Sequence, residues 1–162
     1  MTEEILTATV TIAVPVATVF AVLADPATHP AIDGTGWVQE AVDLAPLTET
    51  GQVFRMNMYH PQHPDGNYQM HNKVQVLDAP HAIGWLPGTD TKRDGNLDFG
   101  GWTWRYDLTP VGPSQTEVTL TYDWSAVPQF VREYLTFPPF GPDHLANSLH
   151  HLADLATQAP RS

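Results

Sequence analysis

The feature that most constrains this fold is a period-two alternation of apolar and polar residues that begins near the N-terminus. Apolar side chains occupy positions 6, 8, 10, 12 and 14, and threonines occupy positions 7, 9 and 11. Such alternation is typical of a β-strand with one buried face. Pro15 ends this strand. Six further candidate strands, bounded by turn residues, follow at residues 37–44, 52–60, 68–77, 82–86, 101–109 and 117–124.

Helical periodicity replaces the alternation directly after the first strand. Val16, Val19, Phe20 and Leu23 recur at helical spacing, and Pro15 suits the start of a helix. The Asp-Pro pair at positions 25 and 26 ends this helix, and residues 27–32 predict a second short one.

The C-terminal third is also helical, but it is interrupted. Prolines at positions 138, 139 and 142 cannot continue a helix, because proline lacks the N–H and clashes with the preceding turn. Asp143 is a candidate N-cap for the final helix. The two predicted apolar stripes are Val127, Phe130, Val131, Tyr134 and Leu135 before the prolines, and Leu145, Leu149, Leu152 and Ala156 after them.

Length and charge narrow the class of protein. The 162 residues suit one domain spanning 1–162, and 18 acidic against 7 basic residues give a net charge of −11. This balance argues against nucleic acid or an anionic membrane as partner, since both recruit lysine and arginine. The chain has no cysteine, an acidic start and no apolar run long enough to insert in a membrane. We therefore expect a cytoplasmic protein.

The order of strand, two short helices, six strands and a kinked terminal helix resembles the helix-grip fold of the SRPBCC (START-like) superfamily. The resemblance covers nearly the whole chain. It depends most on residues 9–26, with their Val-Leu-Ala-Asp-Pro ending, and on the Thr-Leu-Thr-Tyr-Asp-Trp strand at 119–124. The chain is most similar to the bacterial branch named polyketide cyclase/dehydrase. This implies an α+β fold in which a seven-stranded antiparallel sheet curves around the C-terminal helix.

In this fold a pocket for an apolar ligand is expected between the sheet and the terminal helix. Methionines adapt to irregular shapes and aromatic rings supply flat apolar area. Each such residue is alternatively ordinary core, and a register slip of one residue exchanges the two faces. The candidate lining residues, taken from the alternation, are Met56, Met58, Tyr68, Met70, Trp85, Trp102, Trp104 and Tyr122.

Polar residues on the same predicted faces are candidates for orienting a ligand, because burying them unpaired is costly. His60 and Asn72 are two such positions. In an enzyme His60 would be a general base, with Tyr68 or Tyr122 polarising a carbonyl. Alternatively, His60 lies at a strand end in water. Near the proline kink, Phe137 and Phe140 are either a lid on the pocket or part of the core.

Neither a metal nor another cofactor is predicted. His60 and His63 are separated by a proline-containing loop, and His144 and His151 would lie about 10 Å apart along a helix. No phosphate-binding loop, dinucleotide fingerprint or nucleophile elbow occurs.

Three hypotheses for function follow. The first is a monomeric or homodimeric protein that binds a small hydrophobic, lipid- or polyketide-like molecule. The second is a cyclase, dehydratase or hydrolase that acts in the same pocket. The third is an interaction module like the chaperone activators of the superfamily, which requires a large exposed apolar patch.

Overall fold

The structure, a computed structural model, describes residues 4–33, 38–59, 66–89, 98–133 and 143–158. Its centre is one antiparallel sheet. The strands are β1 (Ile5–Ile12), β2 (Val38–Ala41), β3 (Val53–Tyr59), β4 (Asn67–Asp78), β5 (Ala82–Thr89), β6 (Asp98–Phe99), β7 (Thr103–Pro110) and β8 (Thr116–Asp123). Seven of them follow the order β1-β8-β7-β5-β4-β3-β2, and the short β6 pairs with β5 beside this path.

The register of the sheet confirms the predicted alternation. Leu6 lies opposite Tyr122, Ala8 opposite Leu120 and Val10 opposite Val118. Directly opposed residues of an antiparallel pair project from the same face, so these apolar side chains share one side of the sheet. The threonines project from the other side, where the hydroxyls of Thr9 and Thr119 lie 3.1 Å apart.

The helices are α1 (Val16–Leu23), α2 (His29–Asp33), α3 (Gln129–Arg132) and α4 (His144–Gln158), with a 3₁₀ turn at Pro26–Thr28. The carboxylate of Asp25 accepts from the Ala27 N–H at 3.0 Å and so caps this turn. Helix α4 packs against α1, α2 and β1, which places these helices on one side of the sheet. The predicted apolar face of α4, positions 145, 149, 152 and 156, is buried as expected.

Strand β5 is longer than the sequence predicted. It continues through Pro87 to Thr89, although proline cannot donate to a ladder. On one side β7 pairs with β5 only as far as Trp85, and β6 pairs only with Gly88 and Thr89. Pro87 therefore lies in the gap between these two partners, where no N–H is needed.

Two other predictions about the elements were too broad. Strand β2 covers only Val38–Ala41. Helix α3 is a single turn, and Phe130, expected on its apolar face, is 61% exposed while Val127 just before the helix is buried. A one-turn helix cannot bury a full stripe. Tyr134, Leu135 and the predicted proline kink lie outside the described residues.

The core lies between the sheet and α1 and α4. Val19, Leu23, Leu120, Leu149 and Leu152 are each no more than 1% exposed. In the described ranges no helix has the length and apolar character needed to cross a membrane.

Candidate functional site

The side of the sheet that carries α1, α2 and α4, hereafter the covered face, is not packed uniformly. Helix α1 contacts β5 and β7, and His29 of α2 contacts Phe54 of β3. One half of the covered face is completely buried. We call this half the closed end; it comprises Phe54, Val74, Ile83, Tyr106, Leu108, Val118 and Leu120. Toward the opposite ends of β3, β4 and β7, and at Trp102 just before β7, the side chains are only half-buried. We call this half the open end; it comprises Met58, Tyr68, Trp102 and Trp104.

The structure brings the apolar residues predicted from the sequence together on the covered face. Across the strands Met56 opposes Met70 and Met58 opposes Tyr68. Across the next strands Trp85 opposes Trp104, which in turn opposes Tyr122. The predicted register is therefore correct. Ligand contact by these residues stays a prediction.

Burial divides these residues into two groups. Met56, Met70 and Tyr122 are 2%, 8% and 1% exposed, so they belong to the core. Trp104 packs against the ring of Tyr122 at 4.5 Å and is still half-buried. Trp102 is also half-buried, and its indole lies over Gly100, where a Cβ atom would overlap the ring. The open end thus combines fixed aromatic rings with accessible apolar area.

Asn72 is a polar side chain inside the covered face. It is 7% exposed and lies between Phe54 of β3 and Pro87 of β5. Within the described part of the chain its amide makes no hydrogen bond to another residue. A buried amide without a partner costs about 1–3 kcal/mol, so Asn72 is suited to meet a polar atom of a ligand or a water molecule.

The sequence did not single out His29, which the structure places at the centre of an aromatic cluster. Its ring stacks on Trp85 at 4.9 Å and meets the edge of Phe54 at 5.4 Å. The Nε2–H donates to the carbonyl of Leu23 at 2.9 Å. Burial lowers the pKa of His29, against the opposing effects of this hydrogen bond and of the Asp25 charge. The neutral ring therefore functions here as an aromatic core residue.

A second cluster joins α2 to α4. The Nε2 atom of His144 lies 3.5 Å from Oδ1 of Asp33, with the two side chains 9% and 17% exposed. About two turns further along α4, the Nδ1–H of His151 donates to the carbonyl of Ile32 at 3.0 Å. The two histidines considered for a metal site thus contact α2. Within the described ranges, no group of three or more metal-ligating side chains is placed to hold an ion.

The charge of Asp33 reaches the tyrosines of the covered face. Burial first, and then the negative charge of Asp33, raise the pKa values of both Tyr68 and Tyr106. Burial alone raises the pKa of Tyr122. All three hydroxyls therefore keep their protons at neutral pH.

His144 is held largely in its neutral form. Burial is the main cause that lowers its pKa, the charge of Asp33 opposes this effect, and neighbouring His151 adds to it. Its ring meets the edge of Trp104 at 6.0 Å, which places the imidazole beside the open end. No spacing in the sequence indicates that Asp33 and His144 are neighbours.

The remaining predicted site residues lie outside the described residues. These are His60, the candidate general base, and Phe137 and Phe140, the candidate lid. Of the predicted catalytic set, Tyr68 lies at the open end and Tyr122 is buried beneath Trp104.

Comparisons with known proteins agree with this architecture. Residues 4–157 match a protein family described as polyketide cyclase/dehydrase and lipid transport. A relative in Mycobacterium tuberculosis (strain ATCC 25618 / H37Rv), uncharacterized protein Rv0088, is 27% identical over 117 residues, 72% of this chain and 46% of its own length. The chain thus spans about half of that relative.

Solved structures share the fold. Protein Ms6760 from Mycobacterium smegmatis has a TM-score of 0.65 at 20% identity, covering 95% of this chain and 91% of its own. Norcoclaurine synthase from Thalictrum flavum, in complex with dopamine and hydroxybenzaldehyde, has a TM-score of 0.64 at 13% identity, covering 98% and 89%. The predicted helix-grip architecture, an open antiparallel sheet with a C-terminal helix, is confirmed.

Proposed function

The chain belongs to the family of polyketide cyclases/dehydrases and lipid-transport proteins, and we propose that it binds a small, flat, apolar molecule at the open end. The observation that carries the proposal is the difference in burial along the covered face. Side chains on one set of strands change from fully buried to half-buried over a few residues, although all project toward the helices.

The chemistry of the open end favours an aromatic or similarly flat ligand. The indole of Trp104 and the phenol ring of Tyr68 present flat apolar area, and Met58 adjusts its shape to what it contacts. Each 100 Å² of apolar area removed from water contributes roughly 2.5 kcal/mol, and the loss of translational and rotational freedom on binding opposes this contribution. The norcoclaurine synthase structure holds dopamine and hydroxybenzaldehyde, two aromatic molecules, in a protein of the same fold, which supports this ligand class.

Asn72 supports a ligand that also has a polar atom. Its buried amide is available within the described part of the chain to donate to a carbonyl or accept from a hydroxyl. A ligand that reaches from the open end toward the closed end, where Asn72 lies opposite Phe54, would gain this hydrogen bond. A pure hydrocarbon would not.

A catalytic role in the same pocket is the second candidate. Tyr68 is half-buried at the open end, and its raised pKa keeps the hydroxyl protonated at neutral pH. In an enzyme this hydroxyl would polarise a substrate carbonyl. The general-base role of His60 stays a prediction. If the His60→Ala variant turns over substrate at an unchanged rate, His60 has no part in the mechanism.

The interaction-module hypothesis requires one large exposed apolar patch. Leu44 and Phe130 are the most exposed of the large apolar side chains in the described residues, at 64% and 61%. Leu44 follows the edge strand β2. Phe130 lies in α3, which the Arg132–Glu4 ion pair joins to β1 at the opposite edge of the sheet. These two side chains do not form a common patch.

The test uses 2-methylnaphthalene as a probe. We expect it to quench tryptophan fluorescence saturably and to raise the melting temperature, since a ligand at 100 times its Kd stabilises by about 2.7 kcal/mol. Trp104→Ala should weaken binding at least tenfold. Leu44→Ala is the control and should leave Kd unchanged, because Leu44 is 64% exposed and follows β2 on the side away from Met58.

A second variant protects the test against loss of fold. Met58→Trp adds bulk to the open end. It should weaken binding of the probe while the protein still unfolds cooperatively. The proposal is wrong if the probe neither quenches the fluorescence nor raises the melting temperature, or if the Trp104→Ala and Leu44→Ala variants bind it equally. Native mass spectrometry of gently purified protein then identifies the natural ligand, as an excess mass that disappears on denaturation.

A further inference from the structure

We infer that Asn72 recognises the edge of a cyclic amide, where an N–H and the neighbouring C=O point the same way, on a flat ligand bound at the covered face. The inference rests on the proposed function and narrows its ligand class. Flat apolar molecules with any polar atom become lactams, imides and rings of the 2-pyridone type. The observation that carries it is a buried amide surrounded in the sheet by apolar side chains.

Asn72 lies among apolar neighbours on the covered face. Phe54 and Pro87 lie opposite it on the two adjacent strands. Met70 and Val74 lie two residues before and after it, on the same face of β4. The side chain is 7% exposed, and its amide makes no hydrogen bond within the described part of the chain. Because buried amides are normally paired, a group from outside the chain is needed to complete this one.

Accessible apolar area connects the open end to Asn72. Trp104 of the open end lies opposite Trp85 on the neighbouring strand, and Trp85 is itself half-buried. Trp85 in turn lies opposite Val74, so it is a diagonal neighbour of Asn72 at about 7–8 Å. A bicyclic ligand that lies against the accessible part of Trp85 therefore has its polar edge near Asn72 and its apolar ring near Trp104.

The chemistry of the asparagine amide determines which ligand group fits. Its Oδ1 accepts and its Nδ2 donates, and the two atoms lie side by side in one plane. A ketone accepts from Nδ2 but leaves Oδ1 buried without a donor, which is costly. A hydroxyl presents one oxygen to both atoms and cannot meet both at favourable angles. The edge of a cyclic amide offers a donor beside an acceptor, as the edge of adenine does where asparagine reads it in DNA.

The same surroundings exclude a charged group at this position. A carboxylate or an ammonium group beside Asn72 would lose its hydration. The four sheet neighbours of Asn72 are apolar and offer no opposite charge to compensate for that loss. We therefore expect the preferred polar edge to be neutral.

The experiment compares three bicyclic probes of nearly the same shape. The edge of 2-quinolone has both the N–H and the C=O, coumarin has an oxygen in place of the N–H, and 2-methylnaphthalene has neither group. We expect the intact protein to bind 2-quinolone at least tenfold more tightly than coumarin, as measured by isothermal titration calorimetry. Asn72→Leu should bring these two Kd values within twofold of each other, whereas the Kd for 2-methylnaphthalene should not rise.

Asn57→Leu is the matched control, because it makes the same substitution on the other face of the sheet. Asn57 alternates with Met56 and Met58, which face the helices, and its side-chain oxygen accepts from the amide of Gln69 at 3.3 Å. The Asn57→Leu variant should keep the tenfold preference for 2-quinolone over coumarin.

A second measurement uses the intact protein and so does not depend on the folding of any variant. In NMR spectra of the isotope-labelled protein, the side-chain NH₂ resonances of Asn72 should move downfield when 2-quinolone binds, because Nδ2 then donates to its carbonyl. Binding of 2-methylnaphthalene should not produce this downfield shift.

The outcomes distinguish this inference from the proposed function. If 2-quinolone and coumarin bind the intact protein equally, if Asn72→Leu keeps the preference, or if the Asn72 resonances do not move, the cyclic-amide inference is wrong. A water molecule that remains on the amide would give the first and third of these results. Saturable binding of 2-methylnaphthalene would still support the proposed function in each case. If none of the three probes binds, the proposed function fails and this inference fails with it.

Discussion

The closed and open ends of the covered face are made from the same strands and the same kinds of side chain, yet they are packed differently. At the closed end, Phe54 of β3 and Tyr106 of β7 are 1% and 4% exposed. A few residues along the same strands, Met58 and Trp104 remain half-buried. The difference shows that apolar composition does not decide between core and site. What packs over each position from the helices does.

The strongest test of this comparison uses two methionines of β3 on the same face. Met56 is 2% exposed at the border of the core, and Met58 is half-buried at the open end. We expect Met56→Ala to lower the free energy of unfolding by about 2–5 kcal/mol, because it removes buried contacts and leaves a cavity. Met58→Ala should cost about 1 kcal/mol.

Urea denaturation of the two variants measures both values. Equal losses for Met56→Ala and Met58→Ala would show that the open end is packed like the core, which would remove the basis for a site there.

For Asn72 we expect a substitution to raise the free energy of unfolding rather than lower it. Asn72→Leu replaces a buried amide, without a hydrogen-bond partner in the described residues, by an apolar group of similar size. The unliganded protein should become more stable by about 1–2 kcal/mol, because the desolvation cost of the amide disappears. Thermal unfolding of the ligand-free protein checks this. A loss of stability would mean that the amide has a structural partner.

The smallest expected effect is the pH dependence of the folding stability that arises from His29, whose ring contacts Phe54 of the closed end. Because the folded state lowers the pKa of His29, the unfolded chain binds a proton more readily below pH 6.5. The stability associated with neutral His29 is therefore complete above that pH and declines as the pH falls toward the folded-state pKa. The decline is at most roughly 1.4 kcal/mol per pH unit.

Chemical denaturation at several pH values measures this slope. His29→Gln should make the slope between pH 7 and pH 5 shallower, whereas His150→Gln, at an exposed position, should not. His144 retains its own contribution in both variants. An unchanged slope in His29→Gln would show that His29 is protonated without cost.

Much of the fold followed from local patterns. The alternation of β7 and β8 placed Trp104, Tyr106, Leu120 and Tyr122 on the correct face, and helix α1 begins and ends where its apolar spacing predicted. A prediction failed at Phe130, whose helical spacing suggested a buried side chain. Only one turn of helix forms around it, and the side chain is exposed.

The polar part of the candidate site was not predictable in the same way. Asp33 and His144 come from opposite ends of the chain and meet only because α4 packs on α2. His29 gave no signal either, since one histidine in a short polar-looking segment does not indicate that its ring will stack on Trp85.

The sequence by itself determined which side chains face the helices, because the two-residue period of a strand and the spacing of a helix are properties of the local backbone. Only the tertiary structure decided which of those side chains are core and which border the proposed site. Burial depends on where α1, α2 and α4 come to lie across the sheet, and that placement results from contacts between residues far apart in the chain.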